Sequence, residues 1–384
     1  MVVSVLPQVG EVLVESKSFG MTEDAILDGF LSRVSLNSRL AKGVHIRLGN
    51  KFAGKWEKQM REGLLHLPWK LFYTQQSAMP VVRSKSWQSR IFSHKHIVEL
   101  VQEGFKDFQG KSPYENFARV DINQAALSTS PCLLAHVSKN ELELFVDAIG
   151  GPLNNTSGFE SWEKESRLHI DSIVANGCVL RSLLPVIKDL SSPFTLWDPF
   201  CGNGILQLMT TSILAGLPAG SPMNEYLFKG FPIHDSEVFN GISESLRLTP
   251  HAKLSLSILG TDASIEAIGI ATRNFATFRS QLPTVSEVST IPFNVSFERR
   301  IDAYTPPEGK VFIMTALPVK GDTRRKYMHF HKMVDDLVKE NRLEGCIVLT
   351  SKWNQFRKLS TRQWMTELRL FSGNREVELL RMID

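Results

Sequence analysis

Asp198-Pro199-Phe200-Cys201-Gly202-Asn203-Gly204 stands between a strand-like run, Phe194-Thr195-Leu196-Trp197, and a helix-like segment that begins at Ile205. Two glycines one residue apart let a backbone turn tightly at a strand end, and let a ligand approach with no Cβ in the way. A Gly-x-Gly-x-x-Gly fingerprint needs a third glycine where this chain has Gln207, and no Gly-Lys-Ser/Thr follows. Both the dinucleotide and the P-loop readings are weakened accordingly. Taken alone, the stretch is equally well a plain turn.

The next strand-like run outward ends in Leu259-Gly260-Thr261-Asp262-Ala263-Ser264. A carboxylate at that strand end can accept hydrogen bonds from both ribose hydroxyls of an adenosine moiety. The plainer alternative makes Asp262 a helix cap. The glycine turn and the acid, in order on consecutive strand ends, favour the nucleoside site. Further apolar runs follow at Val311 to Met314, Cys346 to Leu349 and Glu376 to Met382, with helical segments at Ser264 to Phe278 and Tyr327 to Lys339. Strand and helix in alternation predict a mostly parallel, doubly wound α/β sheet.

Upstream the pattern changes. Gly43 to Leu48, Ala118 to Ile122, Cys132 to Val137 and Glu141 to Ala148 read as strands. Lys51 to Leu67 reads as a helix whose stripe Phe52, Trp56, Met60 and Leu64 faces a core, and Ile97, Val101, Phe105 and Phe108 form a second stripe. This is an α+β pattern with a mainly antiparallel sheet. The chain of 384 residues suits two domains at roughly 100–200 residues each. The uncharged turn-formers of Gly150 to Gly158 place the boundary: residues 1–151, then 152–384, with 152–181 a connecting segment and helix.

The composition, 42% hydrophobic and 22% charged, is that of a globular protein. The formal charge is only +4, yet between Lys42 and Lys95 eleven Lys/Arg face two acids, Glu57 and Glu62. Phe52, Trp56, Trp69, Phe72, Tyr73, Trp87 and Phe92 are interleaved with them. Such a stretch suits phosphate contacts, with Lys51, Lys55, Arg83, Lys85 and Arg90 as candidates, the last three flanking an expected loop. A solvated face above a core stripe is the alternative, with Trp56 in the core. Lys320, Arg324, Arg325 and Lys326 form a second basic cluster.

No stretch approaches 18 apolar residues, so no membrane partner is expected. The acidic start of the chain differs from a secretory or transit peptide; the compartment stays open, with an intracellular site expected, cytoplasmic or, if already processed, mitochondrial. Cys132, Cys178, Cys201 and Cys346 form no CxxC pair. His94-Lys95-His96 and His329-Phe330-His331 lack a cysteine or acid at ligand spacing, so no metal is expected.

Asp198 to Gly204 resembles motif I of class I S-adenosylmethionine (SAM) methyltransferases. More narrowly, the chain is similar to THUMP-containing RNA guanine-N2 methyltransferases of the large-subunit rRNA type. Leu36 to Asp107, including Leu67-Pro68-Trp69 and Ser84 to Lys95, resembles the THUMP region with its ferredoxin-like core. Phe228-Lys229-Gly230-Phe231-Pro232-Ile233-His234-Asp235 resembles an insert of that family, and Leu370 to Leu380 its closing hairpin. The resemblance implies a Rossmann-like methyltransferase domain preceded by an α+β THUMP domain. It also implies SAM held by Asp198, Phe200, Cys201, Gly202, Asn203, Gly204, Asp262 and Ala263, and ribosomal RNA or an assembling ribosomal particle as partner.

The chain departs from that family at its Asn-Pro-Pro-Tyr catalytic loop, where it has Ala316-Leu317-Pro318-Val319. In the family, the Asn and a backbone carbonyl orient the amine toward the methyl group while the Tyr stacks on the base. Losing the stack removes about 1–3 kcal/mol, and losing the hydrogen bond about 1–3 more. At about 1.4 kcal/mol per tenfold, transfer would slow by roughly two to four orders of magnitude. Met209 replaces a family Glu, Phe297-Glu298 falls where an Asp meets the adenine amine, and Leu153-Asn154-Asn155-Thr156 replaces an Arg-rich turn. The chain therefore reads as an RNA-binding pseudoenzyme of this family. The alternative is an active guanine-N2 methyltransferase acting on structured rRNA or tRNA.

Overall fold

The computed structural model describes residues 2–6, 11–15, 23–110, 132–151, 153, 159–161, 170–187, 193–220, 225–245, 256–280, 294–372 and 375–383. In chain order the elements are β1 (Val2–Leu6), β2 (Glu11–Glu15), α1 (Glu23–Asn37), β3 (His45–Arg47), β4 (Phe52–Ala53), α2 (Glu57–Leu65), β5 (Val82–Trp87), α3 (His94–Gln109), β6 (Leu133–Ser138) and β7 (Glu141–Asp147). Next come α4 (Ser172–Cys178), α5 (Leu184–Ile187), β8 (Phe194–Asp198), α6 (Ile205–Leu214), α7 (Ser236–Ser245), β9 (Leu256–Asp262) and α8 (Ile265–Ser280). The chain closes with β10 (Asn294–Arg299), β11 (Val311–Ala316), α9 (Thr323–Lys339), β12 (Leu343–Thr350), α10 (Trp353–Leu359), β13 (Trp364–Ser372) and β14 (Arg375–Met382).

The division into compact units differs from the single cut expected near residue 151. One unit is 1–153 together with 222–247; the other is 154–221 with 248–384. Turn-formers from Gly216 to Pro222 precede the returning segment, yet nothing in the local sequence says which core it joins.

The second unit is built on a seven-stranded sheet of order β10-β9-β8-β11-β12-β14-β13. Its first five strands run parallel, and β13 and β14 form an antiparallel hairpin at the edge. Both faces are covered, which is why its strands read as unbroken apolar runs. Successive residues of each strand feed opposite cores. Leu196, Ile258, Phe312, Met314 and Ile347 pack with α4 and α6, while Trp197, Leu259, Ile313 and Val348 pack with α9 and α10. The strand order reverses between β8 and β11, so the crevice at their C-terminal ends is the place where an open α/β sheet holds a ligand.

In the first unit a sheet of order β3-β7-β6-β5, with β4 also on β7, carries α2 and α3. Among the described residues of this sheet, β5 and β6 alone pair in parallel, and α3 lies between them in the chain. The expected strand at 118–122 lies outside the described residues. The expected helix from Lys51 is shorter: Phe52 belongs to β4, α2 starts at Glu57, and Trp56 is its 46% exposed N-cap residue rather than a core side chain. Met60 and Leu64 do enter the core.

Segment 222–247 completes that core with Tyr226, Phe228, Phe231, Phe239 and Ile242. Phe231 meets Phe72 edge to face at 5.2 Å. Asp28, on α1, accepts from His234 Nδ1 at 2.8 Å and from the Asp235 N–H at 3.0 Å.

Candidate functional site

The 198–204 loop leaves the C-terminal end of β8 and enters α6 through Gly202 and Gly204, both in the left-handed region (φ 55° and 79°). Asp198 does not face outward. Its Oδ1 accepts from the Phe200 N–H at 2.9 Å and from the Thr315 hydroxyl, and its Oδ2 accepts from Gln207 Nε2 at 2.8 Å. Gln207, which interrupts the dinucleotide fingerprint, therefore has a structural role: its amide holds the acid that shapes the loop. Cys201 is buried and ties the loop to β9 through its N–H, which donates to Thr261 O at 2.9 Å.

Asp262 ends β9 beside this loop, 1% exposed. Its Oδ2 accepts from the Gly202 N–H at 3.2 Å and its Oδ1 from the Ser264 N–H at 3.0 Å. A carboxylate offers about four acceptor positions, so these two bonds alone do not exhaust it. The structure thus brings Asp198, Cys201, Gly202, Gly204 and Asp262 together at one strand-end crevice, with Asn203 and Ala263 on its rim. Arg299 Nε donates to the Ala263 carbonyl at 3.3 Å.

Two residues at the C-terminal ends of these strands and the helix beside them carry no signal in the sequence. Asn274, buried on α8, donates to the Asn203 and Glu160 carbonyls at 3.0 Å each and accepts from the Glu160 N–H at 2.7 Å. It fastens the glycine loop to segment 159–161, and nothing in its sequence neighbourhood signals that. Asp302 follows the C-terminal end of β10, the strand that runs parallel to β9 with Arg299 opposite Asp262. Its carboxylate accepts from the Tyr304 N–H and the Thr305 hydroxyl, each at 3.0 Å. Phe297 and Glu298 stand where the resemblance expects an acid at the adenine amine. Those residues lie inside β10, where Glu298 meets Arg300 at 3.1 Å and the Phe297 ring packs inward over Gly204 and Gly260.

The segment at the catalytic-loop position starts at Ala316, the last residue of β11, and runs on as irregular but buried chain. Every residue from Val311 to Val319 is buried. Ala316 (8% exposed) and Val319 (4%) join one hydrophobic core and Leu317 the other. The Leu317 N–H donates to Leu349 O at 2.9 Å, and the Tyr327 hydroxyl donates to Pro318 O at 3.2 Å. Thr315, the one polar side chain of the run, is turned into Asp198.

The basic residues divide sharply. Lys51 is committed to Glu141 at 2.7 Å, which raises its pKa through that hydrogen bond, and Arg47, Lys58, Arg61 and Lys95 also meet carboxylates. Among the described residues, Lys55, Arg83, Lys85 and Arg90 meet none within ion-pair distance. Arg83 and Lys85 do not flank a loop as expected. They alternate with Ser84 and Ser86 along β5, both on its exposed side, and only Arg90 lies in the connection to α3. Arg324 and Arg325 are exposed in the first turn of α9, whose N-cap Asp322 accepts from the Arg325 N–H at 3.0 Å. His96 pairs with Glu57 at 2.8 Å and His331 is buried. Among the described residues no three His, Cys, Asp or Glu converge as metal ligands, and no helix is long and apolar enough to cross a membrane.

No protein-family model matches the chain. Among sequence relatives, the ribosomal RNA large subunit methyltransferase K/L of Legionella pneumophila (strain Paris) is 22% identical over 279 residues, 71% of this chain. The chain spans only 37% of that relative's length. Among solved structures, SMU.472, assigned as a methyltransferase and complexed with SAH, aligns with TM-score 0.70 and 15% identity. The alignment covers 92% of this chain and 87% of that one. A possible methylase from Clostridium difficile 630 gives 0.67 and 16%, with the same coverage. The fold is that of Rossmann-like class I methyltransferases.

Proposed function

We propose that this chain is an RNA-binding protein of the THUMP-containing rRNA guanine-N2 methyltransferase type in which the cofactor crevice persists and the methyl-transfer pocket does not. The observation that carries this reading is the closed, apolar run from Val311 to Val319. Holding an exocyclic amine in line takes a polar side chain that accepts one of its hydrogens beside a backbone carbonyl that accepts the other. Ala316 offers a methyl group, and the Thr315 hydroxyl is already given to Asp198. Stacking a base takes an exposed ring, and Val319 is packed in the core.

The crevice itself fits a nucleoside. Gly202 and Gly204 turn the backbone tightly at the strand end, the Gly202 N–H orients the Asp262 carboxylate, and Asp262 stands where ribose hydroxyls would be met. Asn203, Phe200 and Ala263 would complete the contact with SAM, which when bound supplies an electrophilic methyl group. The residues of this chain would bind and orient it; none of them is placed to orient the accepting amine. The rRNA-methyltransferase name of the sequence relatives and the unpaired cations of β5 support RNA as the partner.

Calorimetry with SAM, followed by methyl transfer to total rRNA, tests the proposal on wild type and on Ala316→Asn/Val319→Tyr. The expected result is measurable SAM binding without wild-type turnover. Turnover by the wild-type protein would overturn the pseudoenzyme reading. It would favour the second reading, an active RNA methyltransferase, for which the geometry of the glycine loop is the supporting observation. Absence of SAM binding at saturating ligand would sink the cofactor assignment.

A further inference from the structure

At one end of the first unit's sheet, Lys139 and Asn140 turn β6 into β7, both in the left-handed region (φ 52° and 63°). Asn140 knots three segments together. Its carbonyl accepts from the Gly54 N–H at 2.7 Å, its Oδ1 from the Arg90 N–H at 2.8 Å, and its own N–H donates to Ser89 Oγ at 3.0 Å. The Lys139 N–H donates to Trp87 O at 3.2 Å.

On the segments held by this knot are three exposed rings, Trp56, Trp87 (59%) and Phe92 (73%). The Arg90 guanidinium lies 3.7 Å from the centre of the Trp56 ring, Lys55 Nζ 5.8 Å from it, and Lys139 Nζ 5.9 Å from the Trp87 ring. Among the described residues, Lys55, Lys85, Arg90 and Lys139 meet no carboxylate within ion-pair distance.

Large apolar rings grouped on a surface mark a binding site, and the chemistry around them selects the partner. The centre of a protein–protein interface is depleted in lysine, whereas here lysines stand beside the rings. Duplex RNA presents its backbone and hides the faces of its bases. Unpaired nucleotides need both things found here, a ring for each base and a cation for each phosphate.

We infer that this tip is a binding site for a single-stranded RNA segment, with Trp56 and Trp87 as stacking platforms and Lys55, Lys85, Arg90 and Lys139 at the phosphates. The inference rests on the RNA-binding reading above and specifies its surface and the form of RNA. The bent turn fixes the two platforms before the ligand arrives, which lowers the ordering cost of binding.

Fluorescence anisotropy of the full chain with an unstructured RNA oligonucleotide of about twelve nucleotides, and with a blunt RNA duplex of similar length, tests this. The single strand should bind more tightly. Trp56→Ala and Trp87→Ala should each weaken it about 5- to 100-fold with the salt dependence unchanged. Trp87→Phe should restore most of the loss. Lys55→Ala/Lys139→Ala should instead flatten the salt slope by about 1.4, at about 0.7 per phosphate contact on a single strand. Both tryptophans are exposed, and far-UV circular dichroism would verify that the variants fold. Wild-type-like affinity in both Trp→Ala variants, or preference for the duplex, would remove this site while leaving the RNA-binding reading in place. Failure of the wild-type protein to bind either RNA would sink that reading as well, and would leave the tip as a protein contact.

Discussion

Replacing Gly204 by alanine separates two reasons for a glycine in the cofactor loop. If the glycine serves only the approach of a ligand, Gly204→Ala lowers SAM affinity and leaves folding untouched. The structure gives a second reason. Gly204 sits at φ 79°, and an added Cβ would lie 2.9 Å from Phe297 Cε1 and 3.1 Å from the Ala271 Cβ. The left-handed conformation costs an L-residue about 1–2 kcal/mol, and overpacking adds about 1–3 kcal/mol. The substitution should therefore destabilise the second unit by about 2–5 kcal/mol, or roughly 4–20 °C at about 2–4 °C per kcal/mol for a unit of this size. Phe297→Ala removes the nearer obstacle, so the double variant should be less destabilised than the two single losses added together, by about 1–3 kcal/mol. Urea unfolding followed by circular dichroism gives the four free energies. Additivity within about 0.5 kcal/mol would refute the packing argument. The result bears on function, because a loop that keeps its glycines for Phe297 says little about whether a cofactor still comes.

Asn274→Ala removes the three hydrogen bonds of a buried amide and should cost about 1–3 kcal/mol, and amide exchange at residues 203–205 should quicken; unchanged exchange would deny Asn274 its hold on the loop. Asp28→Ala leaves the His234 imidazole and the Asp235 N–H without their acceptor. It should open residues 225–245 to limited proteolysis, and wild-type resistance would contradict this. His331 is buried against Phe356 and Trp364, and burial lowers its pKa. The unfolded chain then takes up the proton first, so stability is full above about pH 6.5 and declines as the pH falls below it, by at most about 1.4 kcal/mol per unit for one group. His331→Gln should flatten that slope in urea titrations at several pH values; an unchanged slope would assign it to other groups.

The architecture of the second unit was readable because its signals are local. Doubly buried strands give apolar runs, and a left-handed turn at a strand end demands glycine. The Asp198-to-Gly204 loop and Asp262 fall where those signals put them. Trp56 misled, since it continues the spacing of Met60 and Leu64 yet precedes the first helical turn, and periodicity cannot see a helix start that lacks a Ser, Thr, Asp or Asn cap. The pairing of Lys51 with Glu141 spans ninety residues, so a linear charge count treated Lys51 and Lys55 alike. Only the fold separates the lysine already neutralised from the one available to a phosphate. Asn274 was invisible for the same reason: its partners, Glu160 and Asn203, are distant in sequence.

The return of residues 222–247 to the first unit has a consequence for how the chain is made. When residue 153 is synthesised, Phe72 and Asp28 still lack Phe231 and His234, which lie within the next 94 residues, 154 to 247. At about 5–20 residues per second, that first core waits roughly 5–20 s for its last wall. A fragment ended at the apparent boundary near 151 would never receive it. Such a fragment should be sticky and poorly soluble, and a faithful dissection of this protein has to splice residues 222–247 back onto it.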